Sequence, residues 1–522
     1  MACSCRRTCA TEMIAGQKDS MTASGRRLAS NGSEPISSHM AAFAGAAAID
    51  AGGLPVAEIS EKNTRDPKAA GYGLRHGALS PLETLAQSIS GVCPTLTPFV
   101  TVPLVFTLAG NATWLAYILA TGGILLVAWC IGRFGRHSSS PGSLYSYASM
   151  ILPPWLATTA AWSLLLAYVA GSASNIGGFY YFANVMLQKA TGHVVPTILL
   201  ALIIAIPPVW MAWRDVRISA RAMLALEAVS VTLVVAVIVL VLWRHGLHGD
   251  PSQFHLRGVT AGGFRQGLVL ALYSFVGFEA ATALGSEARN PLRAIPRAVI
   301  LTAVLGGLFF TLCAYTEVLG FGMGGKDLGT ADVPMHVLAA VGGVPVLGFL
   351  IDIGALVSLF AGILAGIIAA ARVLLLMSHN GLTHASLRAT HERNATPTGA
   401  TIVTGLAAFL PVAFFALKGE SGLDVYGWLG MLAVYGFVVS YGLVCFALPG
   451  YLRDHHGVDN LATKTIPWIA VGAMLFALVA NLYPVPEGVY GKLPFIFLAY
   501  LAVVLLMFAF RSRTKASVAE ES

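Results

Sequence analysis

An all-α membrane protein of about twelve transmembrane helices, ten of them in two inverted repeats of five and two trailing, is the fold class this sequence predicts. Three observations predict it. Hydrophobic residues make up 56% of the 522-residue chain and charged residues 11%, with a mean hydropathy of +0.73, a balance foreign to a soluble domain of this size. Apolar runs able to cross roughly 30 Å of hydrocarbon recur from Pro81 to Phe510. Two of them, the first and the sixth, are interrupted at corresponding places. Paired interruptions of this kind point to inverted repeats that meet at a midmembrane binding site.

The net charge of +7 does not imply nucleic acid, because lysine and arginine are scattered between apolar runs rather than gathered on one surface. Such charges orient a membrane protein instead. Of the seven cysteines, Cys3, Cys5 and Cys9 lie near the start and Cys93, Cys130, Cys313 and Cys445 lie in apolar runs. Their spacing fits neither a disulfide framework nor a zinc site. A membrane-embedded hydrolase would need a nucleophile with its base or an HExxH cluster, and His391-Glu392 lacks the second histidine at that spacing. No enzyme, metal or cofactor is expected.

In chain order, residues 1–70 are rich in Ser, Gly, Ala and mixed charge without periodicity, which reads as a disordered cytoplasmic tail. The membrane-spanning region covers 71–511, with a first repeat at about 80–245, a second at about 262–450 and trailing helices at about 465–511. A short cytoplasmic tail, 512–522, follows. The first six runs are Leu82 to Leu108, Trp114 to Ile131, Trp155 to Val185, Val195 to Trp213, Met223 to Leu242 and Leu268 to Gly285. The second six are Val299 to Gly320, Val346 to Met377, Thr401 to Leu417, Leu429 to Leu448, Ile466 to Leu482 and Leu493 to Phe510. Loops after the even-numbered runs hold Arg133 and Arg136, then Arg214, Arg217 and Arg221, then Arg289, Arg293 and Arg297, and the intervening loops are sparser. Both termini are therefore expected in the cytoplasm.

The interruptions carry the chemistry. In the first run, Ile89 to Pro94 with Thr95, Thr97 and Pro98 weaken the helix near its middle. In the sixth, Ser274, Phe275, Val276 and Gly277 are followed at once by Glu279. A broken helix presents unpaired N–H groups on one side and carbonyls on the other, so a zwitterion matches both. Ser90, Gly91, Val92 and Cys93 are the expected carboxylate cradle, the carbonyls around Ser274, Phe275 and Gly277 the expected ammonium site, and Tyr273 and Phe275 candidate covers. Selectivity is expected from the third, eighth and tenth runs, with Tyr168, Ser358 and Tyr435 as candidates.

A carboxylate inside a bilayer faces a pathway or a partner by default. Glu279 and Glu227 are the proton-coupling candidates, and Glu227 has the alternative of pairing with a basic residue such as Arg221 or of being hydrogen-bonded within the bundle. Glu83, Glu317 and Asp352 are expected near membrane boundaries in solvated or structural roles. No dense acidic and hydroxyl cluster suggests sodium, so the expected coupling ion is a proton.

The run FVGFE followed by SEARNPLRAIPRAVI resembles the sixth-helix signature of the amino acid-polyamine-organocation (APC) permeases, and Ser90-Gly91-Val92 resembles their first-helix glycine motif. PGSLYSY, Pro141 to Tyr147, is similar to their entry to the third helix, and RVLLLMSHNG, Arg372 to Gly381, to their eighth-helix exit. The likeness covers Pro81 to Arg511. It implies a leucine-transporter-type fold and secondary active transport of amino acids or related amines by symport or exchange, with a polyamine, organocation or other small-solute antiporter as the alternative and a membrane-embedded enzyme, channel or receptor as the remote one. Ile89 and Cys93 depart from the family's usual glycine and aromatic residue. Ser230 stands where some proton-coupled members carry a lysine, so their coupling mechanism does not carry over.

Overall fold

Each half of the bundle opens with a helix that stops partway. The computed structural model describes residues 72–520 except 247–248, 332, 456–459 and 484–487. The expected N-terminal tail, with Cys3, Cys5 and Cys9, lies outside the described residues. In the first half, α1 (Pro81–Val92) ends in a left-handed turn at Cys93, and a π-type segment, Thr97–Thr101, leads into α2 (Val102–Ala109). Next come α3 (Thr113–Gly135), the short α4 (Ser143–Ala148), α5 (Pro154–Thr191), α6 (Thr197–Arg214) and α7 (Val216–His245). A connector, α8 (Pro251–Phe254), joins the halves.

The second half repeats the plan. Its broken helix is α9 (Ala261–Tyr273), followed by turns and a 3-10 segment, Ala280–Leu284. Then follow α10 (Pro291–Met323), the short α11 (Pro334–Val341), α12 (Pro345–His379), α13 (Thr398–Leu417) and α14 (Gly422–His455), with α15 (Leu461–Leu482) and α16 (Leu493–Glu520) trailing. In both halves a short helix precedes the long third one. α16 stays helical through most of the expected C-terminal tail.

Among the described residues, ten helical stretches are long and apolar enough to cross a membrane. The stretch Pro81–Gly135 contains the first two expected runs. The sixth is missing because α9 has 13 residues, about 20 Å at helical rise, short of the hydrocarbon thickness. The twelve expected crossings are thus ten stretches, one of them double, plus one helix cut by its own break.

Several helix starts differ from the apolar runs. α7 begins at Val216 rather than Met223, because Asp215 caps it by accepting the Arg217 N–H at 2.8 Å. α10 begins at Pro291 rather than Val299, with Pro291 in the first turn, where its missing N–H costs nothing. α1 starts on a capping box: Ser80 Oγ accepts the Glu83 N–H, and Glu83 Oε2 accepts the Ser80 N–H at 2.8 Å. Hydropathy registers none of these caps.

The most apolar windows of α5 and α12 are each 72% buried, against 28% for α15 and 22% for α16. The core therefore runs along α5 and α12, with α14 packed on α5, while the trailing pair faces outward. The two breaks sit within that core.

Candidate substrate-binding site

The breaks meet backbone to backbone. Gly277 has φ +90°, a left-handed conformation natural to glycine. A Cβ on Gly277 would lie 2.5 Å from the Gly91 carbonyl oxygen, and one on Gly91 would lie 2.5 Å from the Gly277 carbonyl oxygen. Either methyl would force the chains apart. Two further ties hold the segments in register: Ala281 N–H donates to Ser88 Oγ at 3.0 Å, and Leu79 N–H donates to the Glu287 carbonyl at 2.9 Å.

Beside this contact lies a cavity of about 240 Å³. Gly91, Val92, Cys93, Tyr273 and Gly277 line it, together with Tyr168, Ser172 and Asn175 from α5, Gly362 from α12 and Tyr426 from α14. Asn175 Nδ2 approaches Cys93 Sγ at 3.6 Å. No charged side chain lies on the described wall.

Of the expected cradle, Ser90 is fully buried beneath the wall, and its carbonyl accepts the Cys93 N–H at 3.2 Å. Ser274 and Phe275 turn away from the cavity. Ser274 Oγ bonds with the Tyr117 hydroxyl at 3.1 Å, and Phe275 packs edge-on against Phe310 with centroids 5.2 Å apart. Tyr168 faces the cavity, whereas Ser358 bonds Glu227 and Tyr435 stacks on Phe497.

Glu279 is fully buried directly behind the break. It accepts the Tyr168 hydroxyl at 2.8 Å on one oxygen and the Tyr441 hydroxyl on the other. Tyr441 in turn accepts the Gly277 N–H at 3.2 Å. Ser143, in the PGSLYSY stretch, lies 3.3 Å from the Tyr168 hydroxyl and 2.5 Å from Thr282 Oγ1. Helices α5 and α14 thus hold the carboxylate by neutral donors. Glu227 sits apart, between α7 and α12, bonded by Ser358 Oγ at 3.0 and 3.2 Å.

Arg221 does not pair with Glu227; its Nε donates to Glu83 at 2.9 Å. Asp352 lies 3.5 Å from His336. Glu317 is fully buried in the last third of α10, and neither carboxylate oxygen has a partner among the described residues.

Sequence reasoning missed Tyr441, Asn175 and the ion pair of Glu287 with Arg372. Arg372 donates through Nε at 2.5 Å and Nη2 at 2.7 Å to the two Glu287 oxygens, and neither side chain has any exposed surface. Both charges are visible in the sequence, Glu287 in the polar SEARNP segment and Arg372 at the head of RVLLLMSHNG, but nothing local joins them. Tyr441 and Asn175 carried no signal beyond being polar groups in apolar runs.

Comparisons with known proteins agree with this architecture. A family model described as amino acid permease matches residues 79–508. The chain is 24% identical over 359 residues to "Cationic amino acid transporter 3, mitochondrial" of Arabidopsis thaliana, covering 65% of this chain and 56% of that relative's length. It is 26% identical to the "Branched-chain amino acid permease BcaP" of Bacillus subtilis (strain 168), covering 58% of this chain and 67% of that one. It is 25% identical to the "Methylthioribose transporter" of the same strain, over 78% of this chain and 87% of that one. Among solved structures, MhsT in complex with L-phenylalanine matches 78% of this chain and 99% of its own with a TM-score of 0.51 at 15% identity, a likeness of fold, the leucine-transporter type. With the family model spanning most of its length, and two broken helices packed at the centre of an apolar bundle, the chain belongs to the amino acid permease family and is an integral membrane transporter, not an enzyme.

Proposed function

We propose that the protein is a secondary transporter that carries a neutral amino acid, or a zwitterion of similar size, by alternating access around the paired breaks. The coupled ion in this reading is a proton on Glu279, and both chain ends are cytoplasmic. The observation that carries it is the cavity, whose wall offers backbone, hydroxyl, amide and aromatic groups but no charged side chain among the described residues. Burying a cationic side chain there without a counter-charge costs several kcal/mol. That weighs against lysine-like substrates and polyamines, although one relative is named for cationic amino acids.

Helix polarity refines the placement of the head group. Ser90 to Val92 form the last turn of α1, where carbonyls rather than amides lack intrahelical partners. They suit the ammonium, together with the carbonyls that follow α9. The carboxylate is assigned beyond the turn at Cys93. Ser90 and Thr95 flank that turn with buried hydroxyls that have no partner among the described residues.

Coupling is assigned to the Glu279 network. An ionised Glu279 accepts from two tyrosines; a protonated one becomes a donor, and one tyrosine must redirect its own O–H. Tyr168 is on the cavity wall, and Tyr441 holds the Gly277 N–H. A proton on Glu279 is therefore felt at both ligand and break.

Purified protein in liposomes tests the reading. Uptake should follow an inward pH gradient, and uptake driven by sodium and indifferent to pH would overturn the coupling. A thermal-shift screen with leucine, lysine, putrescine and methylthioribose tests the substrate class, since a ligand of the native state stabilises it. Leucine should shift the midpoint most; a shift confined to lysine and putrescine would overturn the neutral assignment.

A further inference from the structure

A second concavity lies outside the transport core, where the start of α1 packs on the start of α10. It has a volume of about 450 Å³. One wall is Pro81, Leu82 and Leu85; the rim is Arg289, Arg293 and Arg297. All three arginines are exposed. Among the described residues none of them has a carboxylate within salt-bridge distance, because Glu83 is engaged by Arg221 and Glu287 by Arg372. Arg289 Nε donates only to the Gly77 carbonyl, at 3.2 Å. Three uncompensated cations converge beside an apolar wall.

The face of α10 continues the pattern. Arg293, Arg297 and Leu301 recur at helical spacing, so they share one side of the helix. Beyond Leu301 the exposed residues are Leu305 at 45%, Leu308 at 66% and Leu312 at 40%. From Arg297 to Leu312 the stripe runs about 22 Å at helical rise. A basic mouth thus opens onto a leucine track long enough to carry most of one acyl chain.

We infer that this groove is a binding site for an anionic phospholipid, whose phosphate is held by Arg289, Arg293 and Arg297 and whose acyl chain lies along Leu301 to Leu312. Guanidinium groups grip phosphate oxygens through paired N–H donors, and lipid-facing leucines cost nothing against hydrocarbon. The bound lipid clamps the start of α1 to the start of α10. Because α1 leads without interruption to Gly91 at the cavity wall, the clamp sits at the root of the broken helix.

The test uses the full chain in nanodiscs of phosphatidylcholine, with and without phosphatidylglycerol. Phosphatidylglycerol should raise the thermal midpoint of the unmodified protein and stay bound in native mass spectrometry. The double variant Arg293→Gln/Arg297→Gln should keep its midpoint in pure phosphatidylcholine and lose roughly 30-fold in phosphatidylglycerol affinity, from about one arginine's worth of surface attraction each. A control pair outside the groove, Arg133→Gln/Arg136→Gln, should keep the phosphatidylglycerol response. An equal loss in the control pair would mean diffuse surface charge and overturn the site. Stabilisation by glycerol 3-phosphate in phosphatidylcholine discs, equal to that by phosphatidylglycerol, would make it a phosphate site and overturn the lipid. No phosphatidylglycerol response in the unmodified protein would overturn it outright.

Discussion

Glu279 and Glu287 share one interrupted segment and neither exposes any surface, yet they are held in opposite ways. Glu287 faces a guanidinium across two charge-assisted bonds, so its partner carries a permanent charge and the pair is locked. Glu279 faces two neutral hydroxyls, so nothing but hydrogen bonds opposes a proton. One carboxylate is fastened to a permanent charge and the other is held by neutral donors alone. The same stretch of chain supplies both because burial alone does not set a carboxylate's role; the charge of its partner does.

The contrast can be broken at the fastener first. Arg372→Met strands the buried Glu287 charge and should destabilise the protein by about 3–5 kcal/mol, read as loss of thermal stability in detergent. Adding Glu287→Leu should restore most of it. If the single change costs less than about 1 kcal/mol, the pair is not a lock and the contrast collapses. Next in size are Gly277→Leu and Gly91→Leu, each expected to abolish ligand binding in monodisperse, inserted protein. Normal transport by both would put the site elsewhere.

Sharpening comes from Glu279. Glu279→Gln removes charge with little change of shape and should impair net uptake more than substrate exchange; equal loss of both would deny it the proton. Tyr441→Phe and Tyr168→Phe each delete one bond to that carboxylate, worth about 1.5–3 kcal/mol, and should shift the same ratio in the same direction. At the small end, Ala509→Leu on the outward face of α16 should change stability by less than about 0.5 kcal/mol.

Much of the architecture was legible because bilayer thickness imposes length and hydrocarbon imposes composition. Those constraints located the runs, and the breaks at Ser90–Cys93 and Ser274–Gly277 stood out against them. Helix starts such as Val216 and Pro291 were set too late, since capping by Asp215 and first-turn proline operate outside the apolar window. Glu279 was visible as an anomaly, but Tyr168 and Tyr441 were not visible as its partners. They come from α5 and α14, far off in sequence, and a tyrosine in an apolar run looks the same whether it packs or donates. The pairings of Arg221 with Glu83 and of Arg372 with Glu287 failed to show for the same reason.

The Gly91–Gly277 contact has an evolutionary consequence. Most tight contacts between helices can drift, because growth of one side chain is offset by shrinkage of its neighbour. Here both partners are already the smallest residue available, and what each would strike is the other's main chain. No second-site change within the pair can rescue a first. A lineage that gains a side chain at either position must re-space two broken helices at once, so the pair behaves as a single locus that tolerates no stepwise path.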